Sequence, residues 1–268
     1  MITLNPNPGR PVIWDFQSYL SVLSALYVGG FQRVFVHGDT RPSGHWWDRL
    51  QGENLTFVHV ETTETVYQQA VNVLAHKADV LRILILHKYG GVYNDHDVIW
   101  VKPISEELRR YPATMCLDWP KLEEWPRTGS IGMLVAKPKV PFLSKILDSF
   151  WLYRDKIWEF NGVAVPYKIY ERNPETVHID KKLQVVCFQE ICHPIWQDDY
   201  LRDYRDTNKT KDFDLLEANA FHFIHLNSGP IYTSFAAIKN NRNIAAILGQ
   251  RVVQAVEKSG KFHLLDER

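Results

Sequence analysis

The chain has 268 residues, 45% hydrophobic and 23% charged, which excludes intrinsic disorder and the fibrous or low-complexity classes. Its 31 basic and 31 acidic side chains cancel, so no net field draws in nucleic acid or an anionic membrane, and an anionic ligand must be held locally. One domain with a substantial core over 1–268 is the simplest reading of this length.

Residues 1–10 are rich in Asn and Pro and lack an apolar core, so no standard signal peptide is read in the chain as given. Tyr19–Phe31 and Ala78–Leu86 are the most apolar stretches, and both fall short of the roughly 20 residues that span a bilayer. No membrane span is therefore expected, and the compartment stays open between cytoplasm and the lumen, as part of a longer anchored protein. Cys116, Cys187 and Cys192 are an odd set without a CxxC pair, which argues against a disulfide framework and a thiolate zinc site while leaving a single bridge open.

In chain order, Pro11–Trp14 predicts a short strand, and Tyr19, Leu20, Leu23, Leu26 and Tyr27 mark a helix that stops at Gly29-Gly30. Strands are predicted at Arg33–His37 and Leu55–Val60, either side of a loop with Pro42 and Gly44. Ala75–Tyr89 predicts a helix closed by Gly90-Gly91, and Val98–Val101 a strand. Strands at Met115–Leu117 and Ile131–Ala136 precede a helix over Phe142–Tyr153. Trp158–Tyr204 reads as irregular and aromatic, Phe221–Leu226 as a last strand and Ile244–Val256 as a C-terminal helix. Alternation of strands with helix-length crossovers predicts an α/β fold with a mainly parallel sheet flanked by helices.

The chemistry concentrates in Ala78–Pro103. Asp79 and Arg82 are the only charges among Val80, Leu81, Ile83, Leu84, Ile85 and Leu86. They share a helix face at i and i+3, and an ion pair in such apolar surroundings costs several kcal/mol per ion unless well partnered. Two readings stand: a structural lock between helix and neighbour, or the floor of a ligand site. After Gly90-Gly91 comes Tyr93-Asn94-Asp95-His96-Asp97. In extended geometry Asp95 and Asp97 point to one spot while His96 faces away. Two such charges about 5 Å apart repel by roughly 3 kcal/mol at an effective dielectric near 20, which a divalent ion relieves. Oxygen ligands favour Mn²⁺ or Mg²⁺; the bland alternative is a chance pair in a surface turn.

The run Ala78-Asp79-Val80-Leu81-Arg82, Lys88-Tyr89-Gly90-Gly91-Val92-Tyr93, Asp95-His96-Asp97-Val98 and Lys102-Pro103 resembles the DxD sugar-binding region of glycosyltransferases. The group includes initiating mannosyltransferases, α-1,4-galactosyl- and N-acetylglucosaminyltransferases and the clostridial glucosylating toxins. The resemblance implies a GT-A (Rossmann-like) fold, a nucleotide-sugar donor, Mn²⁺ or Mg²⁺ on its diphosphate, and transfer with retention to a glycan or other hydroxyl acceptor. The donor is expected to be UDP-linked, with GDP-mannose second. Asp79 and Arg82 match the pair that holds donor-sugar hydroxyls, Gly91 and Tyr93 line that pocket, and Asp95 and Asp97 match the DxD pair. Trp14 matches an aromatic residue that stacks on the nucleobase. His225 is placed as third metal ligand by its order in the chain, with His222 competing; on a continuing strand the two face opposite sides.

This implies a donor-binding part at about 10–140 and an acceptor side at about 141–268. Trp46, Trp47, Trp119, Trp125, Trp151, Trp158 and Trp196 stay open between core packing and sugar stacking, and Asp198-Asp199 and Glu123-Glu124 read as solvated pairs. A noncatalytic metal-dependent nucleotide-sugar or carbohydrate-binding module is the rival from another class. A haloacid-type phosphatase fits less well, because Asp95 follows a Gly-Gly turn rather than ending a hydrophobic strand.

Overall fold

Asp15 opens the first helix by accepting the Ser18 amide at 2.8 Å, as an N-cap acid does. Helix α1 (Phe16–Leu23) follows, buried along its whole length, and runs into a π-helical turn over Ser24–Val28. The structure, a computed structural model, describes residues 1–118, 128–188, 191–193, 197–198, 218–224, 233–242 and 244–266. The order continues with β1 (Val34–Gly38), α2 (His45–Asp48), β2 (Leu55–His59), the β3 (Thr65–Val66) and β4 (Gln69–Ala70) hairpin, α3 (Leu74–Tyr89), β5 (Gly91–Asn94) and β6 (Val98–Trp100). Then come α4 (Glu106–Arg110), β7 (Ala113–Leu117), β8 (Gly129–Ala136), α5 (Pro141–Ser149), α6 (Val165–Arg172) and β9 (His178–Ile179). Strands β10 (Gln184–Phe188), β11 (Ile191–His193), β12 (Gln197–Asp198) and β13 (Ala220–Ile224) precede α7 (Phe235–Lys239) and α8 (Ile244–Lys258).

The α/β expectation is borne out, with parallel strand pairs and flanking helices, but the mainly parallel sheet is corrected to a mixed one: antiparallel pairs outnumber parallel ones among the described residues. Parallel pairing joins β1 to β2, β7 to β9 and β10 to β13. Antiparallel ladders join β5 and β7 to β8, and β6 to β13. The result is a sheet ordered β5-β8-β7-β9 and a second ordered β12-β11-β10-β13-β6. One buried cluster packs α1, α8, β6 and β13 around Phe16, Tyr19, Trp100 and Phe221; another packs α3, α5, β7 and β8 around Ile83, Met115, Leu134 and Phe142.

Pro11–Trp14 forms no strand; Ile13 makes an isolated parallel bridge to Ser43, since Pro11 lacks the amide a ladder needs. The stretch read as irregular from Trp158 holds a π-turn over Phe160–Ala164 and then α6, with Pro166 in its first turn, where its missing N–H costs nothing. Among the described residues no helix is long and apolar enough to cross a membrane. His225, Trp119, Glu123, Glu124, Trp125, Trp196 and Asp199 lie outside the described residues.

Candidate active site

Helix α3 carries Asp79 and Arg82 to one buried face, as their i,i+3 spacing requires. Arg82 Nη2 lies 3.2 Å from Asp79 Oδ1 and 3.2 Å from Asp95 Oδ1. Its Nη1 donates to the Ile131 carbonyl at 2.9 Å and to Asp95 Oδ2 at 3.4 Å. The guanidinium sits 4.5 Å above the Tyr93 ring, and the Tyr93 hydroxyl donates to Asp95 Oδ1. Arg82 is thus clamped from four sides while 6% exposed. Burial lowers its hold on the proton, but Asp95, Tyr93 and Asp79 together outweigh that and raise it above the ordinary guanidinium value. Burial raises the Asp79 carboxyl against the pull of Arg82, and raises the Tyr93 hydroxyl likewise.

Asp95 and Asp97 sit in the turn between β5 and β6, closed by Val98 N–H to the Asp95 carbonyl at 3.2 Å. The extended i,i+2 geometry expected there is corrected to this turn, because the chain must step from one sheet to the other. Asp95 N–H bonds to Gly132 of β8 at 2.9 Å, and the Asp97 carbonyl accepts Phe223 N–H of β13 at 3.1 Å. Each backbone is held by a different sheet, yet both carboxylates converge on His222. Its Nε2 lies 3.2 Å from Asp97 Oδ1 and 3.6 Å from Asp95 Oδ2. Burial lowers the affinity of His222 for its proton, and Asp97, Asp95 and Asp118 together reverse that, so the net shift is upward.

One ligand atom from each of Asp95, Asp97 and His222 lies within 4.8 Å of the others. Two carboxylates and an imidazole are a donor set that suits Mn²⁺ and related divalent ions, and the three side chains close on a single point; the residues present fit such an ion. Gly132 makes this possible. A Cβ there would lie 2.4 Å from His222 Cε1 and 2.9 Å from Asp95 Oδ2. On the Asp79 side, a Cβ on Gly162 would lie 2.7 Å from Asp79 Oδ2. Neither glycine is singled out by the sequence; for Gly132, its place inside β8 is the available sign of close approach.

Residues 35–114 match the glycosyltransferase sugar-binding region containing a DXD motif. That span runs from β1 into β7 and holds Asp79, Arg82, Gly91, Tyr93, Asp95 and Asp97, but not Gly132, Gly162 or His222. The chain is also similar to Glucan organizing enzyme 1 of Cryptococcus neoformans var. grubii serotype A, at 28% identity over 211 residues, 77% of this chain and 55% of that protein. It therefore spans about half the length of the curated relative it matches. Among solved structures, the PaToxG glycosyltransferase aligns over 65% of this chain and 67% of its own at 17% identity and a TM-score of 0.44. The galactosyltransferase LgtC, solved with donor and acceptor sugar analogs, aligns over 96% of each chain at 12% identity and a TM-score of 0.44.

Asp79, Arg82, Tyr93 and Asp95 form one connected network, which Asp97 joins through His222. Gly91 begins β5 and lines an apolar cavity of about 810 Å³ together with Phe35, Ile85 and Tyr93. Trp14 is 4% exposed and meets Trp47 edge-on at 4.8 Å, which places it in the core. His96 is exposed between the two carboxylates.

Proposed function

We propose that the chain is a metal-dependent GT-A-type glycosyltransferase. It moves a hexose from a nucleoside diphosphate sugar, UDP-linked first and GDP-mannose second, to a glycan or other hydroxyl acceptor with retention. The observation that carries this reading is the shared guanidinium: Arg82 binds Asp79 and Asp95 at 3.2 Å each, so the sugar-side pair and the Asp95–Asp97–His222 cluster are one rigid unit. The match over residues 35–114 supports it.

In this reading Asp95, Asp97 and His222 hold a Mn²⁺ or Mg²⁺ ion, with His222 in the role that order in the chain gave to His225. When bound, that ion supplies charge neutralisation on the leaving diphosphate. Asp79 and Arg82 bind donor-sugar hydroxyls and fix the ring's orientation. Tyr93 keeps the guanidinium plane in place from below. Retention with attack from the leaving-group face lets the departing phosphate accept the acceptor's proton, so no side chain is assigned as general base. Donor contacts then fall at about 10–140 and the acceptor side at about 141–268.

The test is incubation with Mn²⁺ and UDP-glucose, UDP-galactose, UDP-N-acetylglucosamine or GDP-mannose, with and without an acceptor. The name of the curated relative makes a glucan the first acceptor to try. Slow release of free sugar from at least one donor is expected without acceptor, because water occupies the acceptor position, and chelator should stop it. Metal-dependent affinity with no sugar released or transferred across the panel would instead identify a binding module.

A further inference from the structure

The segment from Tyr153 to Gly162 lies along the same face of α3 that presents Asp79, and it is fastened at several points. Asp155 accepts from the Asn72 and Val73 amides at 3.1 and 3.3 Å and from the Tyr153 hydroxyl at 2.9 Å, and its Oδ1 is 3.2 Å from His76 Nδ1. Asn161, 2% exposed, bonds both ways with the Arg154 backbone at 3.0 and 2.9 Å. The Trp158 carbonyl is 3.2 Å from His76 Nε2, and the Trp158 and His76 rings lie 5.7 Å apart. His76 and Asp79 are one helical turn apart, and four residues after Trp158 the chain reaches Gly162, against the Asp79 carboxylate. A rigid segment thus leads directly from Asp79 to Trp158. Yet Trp158 is 51% exposed and Ile157 beside it 45%. An indole held fixed and left in water is an informative departure, since packing normally covers it.

We propose that Trp158 is an acceptor-binding residue whose indole stacks on a pyranose ring of an oligosaccharide acceptor as its hydroxyl approaches the donor sugar at Asp79 and Arg82. This rests on the glycosyltransferase reading and names its acceptor class. A flat apolar face on an immobilised backbone suits a sugar ring, because little side-chain freedom is lost on binding. The charges beside it are of both signs: Arg154, stacked on Phe160 at 4.7 Å, Lys156 and Glu159 are exposed, while Asp155 is turned inward onto α3.

The experiment measures binding of laminarihexaose, maltohexaose and mannohexaose by saturation-transfer NMR and tryptophan fluorescence, with Mn²⁺–UDP and Mn²⁺–GDP affinity measured on the same samples. Saturable binding of at least one hexasaccharide is expected. It should weaken about tenfold (~1.4 kcal/mol) in Trp158→Ala and Trp158→Leu and be kept within about threefold in Trp158→Tyr, with Mn²⁺–UDP affinity unchanged. Leu retains bulk without a flat face, so the Leu and Tyr pair decides the matter if the Ala variant melts early. No hexasaccharide binding to the wild type, or equal binding to the Leu variant, overturns the proposal. So does Trp158-dependent sedimentation with anionic phospholipid vesicles, which would make the segment a membrane contact. Oligosaccharide binding without Mn²⁺-dependent affinity for either UDP or GDP would leave Trp158 as a sugar contact while sinking the transferase reading.

Discussion

Arg82 is the residue on which the site turns, because its removal strands charge in a largely buried place. Asp79 already carries a carboxyl raised by burial and relieved by Arg82, so Arg82→Ala should cost on the order of 3 to 5 kcal/mol. The Asp79→Asn/Arg82→Ala double variant should recover part of that loss in chemical denaturation; equal stability of Arg82→Ala and wild type would mean the pair is not buried. Asp97 tests the other half of the site. Asp97→Asn removes one charge from the proposed ion's ligand set and should lower turnover by orders of magnitude with the fold intact; activity retained in metal-stripped buffer would refute the DxD role. Gly132→Ala separates shape from charge: it alters no ligand, but its methyl enters the space of His222 and Asp95. A loss of Mn²⁺ affinity in calorimetry with little change in α/β content is the expected outcome.

Helix α3 is positioned by a residue about eighty positions away. Its N-cap, Val73, has no side chain that can accept an amide, and Asp155 binds the Asn72 and Val73 amides instead. Burial pushes the Asp155 carboxyl up, but the Tyr153 hydroxyl, the Asn72 amide, His76 and the Val73 amide outweigh it and bring it down to about 2. A carboxyl held below its ordinary value stabilises the fold above that value and loses the contribution as pH falls toward the depressed one. Wild type should therefore lose about 1 kcal/mol through this group between about pH 4 and 2, allowing for solvent screening, and Asp155→Asn should lack that component in urea titrations at stepped pH. The sequence shows why some of this was legible and some not. The apolar run, the charge pair and the Gly-Gly stop locate α3 and the DxD turn, because composition and caps are local signals. The link to Asp155, the reach of His222 from β13 and the close approaches at Gly132 and Gly162 are contacts between distant segments. No local pattern encodes them, and α6, inside the stretch read as irregular and aromatic, carries Pro166 in its first turn.

At the scale of the molecule, the proposed ion site lies across the boundary between two sheets. Asp95 is hydrogen-bonded to β8 of one sheet, while Asp97 is bonded to β13 of the other, the strand that also supplies His222. An ion bound by all three would tie β5 and β8 to β6 and β13, and would do so only in the folded chain, since the unfolded chain does not bring residues 95, 97 and 222 together. Binding restricted to the native state stabilises it by RT ln(1 + [L]/Kd), about 2.7 kcal/mol at one hundred times Kd. For a chain of this size that is a rise in Tm of roughly 5 to 10 °C. Melts in Mn²⁺ should show this rise against chelator, and His222→Ala and Asp97→Asn should each abolish most of it. A control variant on the surface, Lys168→Ala, should keep the full rise. If Mn²⁺ shifts wild type and His222→Ala equally, the ion sits elsewhere and the Asp95–Asp97–His222 assignment fails, whatever activity the chain displays.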